Sequence, residues 1–158
     1  MNSATPFCDD VGMCLRCDGY SEKQIQQMTE MQIAVHGWGV VAVDDHPPVA
    51  YSIGVLENYG HPELVVMDIE TLAAQQLINH VGALIRDGGG ALDRDVLSGQ
   101  GIQIVEVHPT HLRSGLVGGW ARYYGERPRA GDFVQILPPP QLLCACHRDM
   151  IHRLDLAA

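Results

Sequence analysis

The sequence predicts an α+β fold: a single small domain with a mostly antiparallel or mixed sheet of about five strands, packed by about two to three helices. Three observations lead to this class. A chain of 158 residues has the usual length of one domain. Hydrophobic residues make up 46% and charged residues 18%, which is enough apolar surface for a core. Strand and helix patterns follow each other without the strict alternation of a doubly wound sheet.

The first half of the chain contains one predicted helix and three predicted strands. The helix begins after Ser21, because Gln24 stands at the capping-box spacing, and it ends at Gly37. A proline-containing turn at 46–48 separates the first two strands. The three strands are rich in valine and other β-formers and cover residues 38–44, 49–55 and 63–69.

The second half contains the most regular helix, in which apolar residues repeat at helical spacing from Thr71 to Asp87. Three glycines follow and end it. A fourth strand is predicted over 101–108 and a fifth over 133–137, where prolines stop it. Between these two strands, one further helix is predicted from Thr110 to Gly125.

We expect residues 1–158 to form one domain with two cysteine-bearing ends. These ends are an N-terminal loop, 1–19, and a C-terminal tail, 138–158, that also carries histidine. The first residues show neither a basic start nor an apolar stretch, so we expect a soluble, cytoplasmic protein. Cytosolic thiols stay reduced, so five cysteines favour metal binding or redox chemistry over disulfides. The role of Cys8 is left open.

The cysteines predict a zinc site. Cys14 and Cys17 form a C-x-x-C pair, whose spacing lets both sulfurs face one ion. The other ligands are expected from Cys144, Cys146 and His147, which requires the two ends of the chain to meet. Four protein ligands would make the site structural. Ordinary thiols and a redox-active C-x-x-C are the alternatives.

The charge of the chain argues against nucleic acid as a partner. A net charge of −9 opposes binding to phosphates over most of the surface, and no apolar run is long enough to cross a membrane. A cluster of arginine and aromatic residues between residues 120 and 129 is a local exception to this negative charge. It either holds an anion or stacks a base, or is a solvated helix end with its aromatic residues turned inward. Its members are Trp120, Arg122, Tyr123, Tyr124, Arg127 and Arg129.

A polar loop between the second and third strands, at 57–63, is a candidate ligand site. Tyr51 lies on the strand before it, and His61 and Glu63 lie in it. The last two residues are either a proton-transfer pair or ligand contacts. The alternative is structural: Gly60 and the following proline shape a turn, and Glu63 caps a backbone amide.

Three segments of this chain resemble the sequence pattern of the bacterial family designated domain of unknown function 4262. Its pattern runs roughly G-W-x-V, then P-x-A-Y-T-x-G-L, then H-P-E-L-V-V. The matching segments here are 37–40, 48–55 and 60–66. Ser52 and Val55 replace the family's usual threonine and leucine.

The resemblance extends to two further features. Members often carry a C-x-x-C before the first helix, like Cys14 and Cys17, and an A-x-x-Y-Y-G stretch, like residues 121–125. They usually end in a tryptophan–proline–tryptophan-like run, which this tail lacks, so the metal site expected in the tail does not follow from the resemblance. It implies no activity either.

We expect a metal-stabilised binding or regulatory module, in which residues 51–63 form the surface for a small ligand or a protein partner. One alternative is a small enzyme that performs hydrolytic or acid–base chemistry with His61 and Glu63 or at an open metal position. A second is an interaction protein of the immunity or stress type, with an acidic contact face. The sequence leaves the oligomeric state open.

Overall fold

The computed structural model describes residues 19–44, 46–143 and 151–156, and a five-stranded sheet forms their centre. In chain order the strands are β1 (Gly39–Val43), β2 (Val49–Ile53), β3 (Glu63–Met67), β4 (Gln103–Glu106) and β5 (Phe133–Leu137). Their spatial order is β1–β2–β3–β5–β4. The β3–β5 pair is parallel, and the other three pairs are antiparallel. The predicted α+β class with a mixed sheet is confirmed.

Helices cover both faces of this sheet. They are α1 (Glu22–His36), α2 (Val55–Tyr59), α3 (Thr71–Asp87), α4 (Arg94–Gly99), α5 (Pro109–Arg113) and α6 (Gly118–Tyr124), and a 3-10 turn covers Pro140–Leu142. The described residues thus contain more helices than the two or three expected, because four of the six are only one or two turns long. No helix in this part of the chain has the length and apolar character needed to span a bilayer.

The predicted start and end of α1 are confirmed by its capping contacts. The hydroxyl of Ser21 accepts a hydrogen bond from the backbone N–H of Gln24 at 3.2 Å. The Gln24 side chain accepts one from the N–H of Ser21 at 2.8 Å, which completes the capping box. Gly37 ends the helix with a φ of 95°, in the left-handed region that glycine tolerates best.

Each face of the sheet has its own apolar cluster. On one face α3 packs against the sheet, and Ile78, Val81 and Ile85 are fully buried there. On the other face α5 and α6 cover the strands, and Trp120 packs against Phe133. The sheet is therefore the middle layer of three, which explains why β2, β3 and β5 are buried along their whole length.

The strands β1, β3 and β4 are each two to four residues shorter than predicted, and two further elements differ for a visible backbone reason. The second strand was expected to reach Val55 but ends at Ile53, because Gly54 has a φ of 109° and begins α2. The helix expected from Thr110 to Gly125 is two helices, α5 and α6, interrupted at Gly115 with a φ of 86°. A glycine that leaves the helical region breaks the hydrogen-bond ladder at that point.

The end of the chain crosses the second face of the sheet. Gln135 is completely buried in β5, and its side chain donates to the carbonyl of His152 and accepts from the N–H of Leu154, both at 2.7 Å. The imidazole of His152 also contacts the carboxylate of Asp68 at 2.8 Å. Leu154 is buried in the cluster beneath α5. Residues 151–156 are therefore packed against the core and belong to the same domain.

Substitution of Gly82 tests the packing of α3 on the sheet. A Cβ at this position would lie 2.8 Å from two ring carbons of Trp38, which is itself buried. We expect Gly82→Ala to lower the free energy of unfolding by about 1–3 kcal/mol despite the better helix propensity of alanine. Urea unfolding measures the change. The control is Gly99→Ala in α4, where no heavy atom lies within 4 Å of the added carbon. Equal stability of the two variants would contradict this account.

Candidate functional site

Glu63 lies at the beginning of β3 with its side chain completely buried. One carboxylate oxygen accepts from the hydroxyl of Ser52 at 2.5 Å and from the N–H of Val55 at 3.2 Å. The other accepts from the N–H groups of Gly54 at 2.8 Å and Leu56 at 3.3 Å. We call this group the Glu63 cluster. It connects the end of β2, the start of α2 and the start of β3.

The Glu63 cluster supplies a cap that α2 lacks locally. The first N–H groups of a helix have no partner within the helix, and they are usually capped by a neighbouring side chain. At α2 the N-cap residue is Gly54, which has no side chain to do this. Glu63 takes over the role from the next strand, so its contacts are those of a structural residue.

Burial is the main influence on the acidity of Glu63. It raises the pKa of this carboxyl from 4.5 to about 7, although the hydrogen bonds from Ser52 and the backbone act in the opposite direction. The protonated and ionised forms are therefore close in energy near neutral pH. In the protonated form, the hydroxyl oxygen of Ser52 is the nearest acceptor for the proton.

His61 has other partners than Glu63. Its Nδ1 lies 2.8 Å from the carbonyl oxygen of Pro62, a contact that assigns the proton to Nδ1 and leaves Nε2 as the basic nitrogen. Burial lowers the pKa of the half-buried imidazole. The four donors to Glu63 come from Ser52 and from residues 54–56. Within the described chain, no hydrogen bond joins the two members of the predicted proton-transfer pair.

Tyr51 lies at a cleft of about 280 Å³ between the β1–β2 turn and the α5–α6 connection. Its hydroxyl oxygen accepts a hydrogen bond from the N–H of Gly119 at 2.8 Å. We call this space the Tyr51 cleft. The residues that line it are Val43, His46, Pro47, Val49, Tyr51, Met67, Gly115, Leu116, Gly118, Gly119 and Arg122.

The structure separates the three residues predicted to bind a ligand. Tyr51 pairs with Val65, so it lies only two residues along the neighbouring strand from Glu63. Glu63 nevertheless belongs to the core, and neither it nor His61 lines the cleft. Tyr51 is thus the member of the trio that contacts an open space.

Burial, a backbone hydrogen bond and Arg122 together influence the Tyr51 hydroxyl at the cleft. Burial raises the pKa of the Tyr51 hydroxyl, while the Gly119 N–H and the nearby Arg122 guanidinium act to lower it. Among the described residues that line the cleft, none is aspartate or glutamate. Arg122 thus gives the described lining a positive charge, on a chain whose net charge is −9.

The sequence did not reveal the other walls of the cleft. Met67, Leu116 and Arg122 come from three elements that meet only after folding, and no regular spacing links them. Arg122 was noted in the 120–129 cluster as an anion ligand or a solvated side chain. In the structure it is exposed, whereas its neighbour Trp120 is buried.

All predicted metal ligands lie outside the described residues. This applies to Cys14, Cys17, Cys144, Cys146 and His147, and also to Cys8. Within 19–44, 46–143 and 151–156, no three histidine, cysteine or acidic side chains are grouped so that they could hold a metal ion. The zinc site at the chain ends therefore stays a prediction.

Comparison with known proteins identifies the family. The family described as Domain of unknown function (DUF4262) matches residues 32–141, which is more than half of the 158-residue chain. The chain belongs to the DUF4262 family. Curated proteins and solved structures gave no match.

The matched range of this DUF4262 chain contains both features described above. The Glu63 cluster and all residues that line the Tyr51 cleft fall within 32–141. The five cysteines all fall outside it. The cluster and the cleft are therefore features of the matched domain, whereas the predicted metal ligands lie in the segments that flank it.

The raised pKa of Glu63 predicts a pH dependence of stability. The folded pKa of about 7 exceeds the reference value of 4.5, so this group contributes most below pH 4.5, and its contribution is lost as the pH rises through 7. We expect the free energy of unfolding to fall across this window by on the order of 3 kcal/mol relative to Glu63→Gln, which carries no titratable group. Urea unfolding of both proteins at pH 4.5, 6 and 7.5 measures the difference.

Parallel pH profiles of the two proteins would contradict the assignment of this titration to Glu63. Glu70→Gln is the matched control, because the Glu70 side chain is exposed and caps α3 only through the N–H of Leu72. Its pH profile should follow that of the wild-type protein in the same window.

Proposed function

We propose that this DUF4262 domain is a non-catalytic module that binds a small molecule in the Tyr51 cleft. The observation that carries the proposal is the composition of the cleft. Valine, methionine and leucine side chains form its walls, while the Tyr51 hydroxyl, Arg122 and His46 supply polar groups. Apolar walls with a few convergent polar groups are typical of small-molecule sites.

The size of the cleft supports a ligand of modest dimensions. An apolar cavity of roughly 150 Å³ is enough to hold benzene. The cleft measures about 280 Å³, so one ring or a short branched chain with a polar group would fill it. Larger ligands would have to extend into solvent.

The alternative of an acid–base enzyme has less support. Both carboxylate oxygens of Glu63 are engaged by four donors, and the side chain has no exposed surface. A general acid or base must come within hydrogen-bonding reach of its substrate. For Glu63 this would require α2 to move away from β3.

An interaction protein of the immunity or stress type is the second alternative. The net charge of −9 would suit a basic protein partner. The presence of a cleft favours the small-molecule module, because a flat acidic contact face has no use for an apolar recess. Failure of the binding experiment below would favour this alternative.

We infer from the sequence that zinc stabilises the two ends of the chain. The supporting observation is the C-x-x-C spacing of Cys14 and Cys17, together with the Cys144, Cys146 and His147 group. Such a site would serve folding, because the free energy of metal binding adds to the stability of the folded state. The inference assumes a reducing compartment such as the cytoplasm, in which these thiols stay free to bind metal.

Filling the cleft tests the binding function. Benzyl alcohol is a suitable probe, because it combines one ring with one hydroxyl group. We expect it to shift the NMR signals of Val43, Val49 and Leu116, and Leu116→Trp should weaken its binding at least about tenfold by occupying the space. Leu72→Trp is the control, since Leu72 is 56% exposed on α3 and does not line the cleft. Unchanged binding by Leu116→Trp would place the ligand elsewhere.

Removal of one thiol tests the zinc inference. Protein purified without chelator should contain about one equivalent of zinc, and Cys17→Ser should lose it along with part of its thermal stability. Cys8→Ser is the control, because Cys8 is not among the expected ligands. Elemental analysis and a thiol count before and after denaturation give the answer. Metal-free wild-type protein with all thiols reactive would contradict the inference.

A further inference from the structure

Two polar groups meet at one corner of the Tyr51 cleft. Arg122 lies one helical turn after Gly118 on α6, and its Nη1 is 3.4 Å from the point where a Cβ of Gly118 would be. The guanidinium therefore folds back over Gly118. The next residue, Gly119, donates its N–H to the hydroxyl of Tyr51 at 2.8 Å. Tyr51 and Arg122 both line the cleft, and the positive charge of Arg122 acts to lower the pKa of the Tyr51 hydroxyl.

Both groups retain the capacity to donate hydrogen bonds. The Tyr51 hydroxyl oxygen already accepts a hydrogen bond from the N–H of Gly119. The hydroxyl proton can still be donated, and the described residues offer no acceptor for it. Arg122 forms no ion pair with any carboxylate in the described part of the chain. The N–H of Gly119 is used by Tyr51, so the corner is defined by side chains and not by the start of a short helix.

The chemistry of this corner selects an anion with two oxygens. A guanidinium and a hydroxyl that line the same cleft are both hydrogen-bond donors, and a carboxylate offers one oxygen to each. A phosphate would offer more acceptors and more charge than one arginine and one hydroxyl satisfy. The apolar walls of Val43, Val49 and Met67 suit the hydrocarbon part of such an acid.

We propose that the ligand of the Tyr51 cleft is a small organic carboxylic acid, held as its carboxylate by Arg122 and Tyr51 and packed by its apolar body against the cleft walls. This inference rests on the proposed small-molecule function and adds the class of ligand. Arg122 is the residue that determines the preference for a charged ligand.

The test compares benzoate with benzyl alcohol, which has the same ring but no charge. Both are titrated into the full chain at neutral pH, with NMR signals of the cleft residues as the readout. We expect benzoate to bind wild-type protein at least about tenfold more tightly than benzyl alcohol, because hydrogen bonds to charged groups are the stronger kind. In Arg122→Gln the ratio of the two affinities should fall to about one, because the guanidinium that distinguishes the carboxylate from the alcohol is gone.

Arg127→Gln is the matched control, because Arg127 is an exposed arginine beyond α6 that does not line the cleft. It should bind both probes like the wild-type protein.

Equal affinity for the two probes, unaffected by Arg122→Gln, would overturn the carboxylate class and leave the small-molecule function standing. Absence of cleft shifts with either probe at millimolar concentration would overturn the function itself, and the class with it. If Arg122→Gln and Arg127→Gln lower the affinity for benzoate equally, the effect reflects the net charge of the protein, and the role of Arg122 is overturned.

Discussion

The hydrogen bonds that converge on Glu63 join the three elements at the centre of this fold. A carboxyl group without contact to water is costly unless its oxygens have partners, and here four donors supply them. Ser52 contributes twice, since its hydroxyl donates to Glu63 and also accepts the N–H of Leu64 at 2.9 Å. The end of β2, the start of α2 and the start of β3 therefore depend on one another.

This dependence connects the core to the Tyr51 cleft. Ser52 and Tyr51 are adjacent on β2, and their side chains project to opposite sides of the strand. The contacts of Ser52 hold the strand in register with β3, and the same register places the Tyr51 hydroxyl beneath Gly119. Ser52, which does not line the cleft, thus helps to position Tyr51, which does. The near-neutral pKa of Glu63, about 7, makes this support sensitive to pH.

The cleft exists because the second face of the sheet is covered by short helices. α5 and α6 contain five and seven residues, and Gly115 separates them. Residues 151–156 fill another part of this face through Gln135 and leave the corner beside Arg122 uncovered. The position of the site thus follows from the incomplete cover over the sheet.

The sequence by itself determined those elements whose signals are local. The capping box of α1, the apolar repeat of α3 and the apolar run of β5 each lie within one segment, and the structure has α3 and β5 with the predicted bounds. The short helices α2 and α4 were missed, since the cap of α2 comes from Glu63 in a later strand and α4 has only six residues. Tyr51, predicted from the sequence as a ligand contact, lines the cleft together with Arg122 and Leu116, which come from distant segments of the chain. Caps and periodicity act over a few residues, whereas a buried carboxylate and a cleft acquire their partners from distant segments, so only the tertiary structure decided what these residues do.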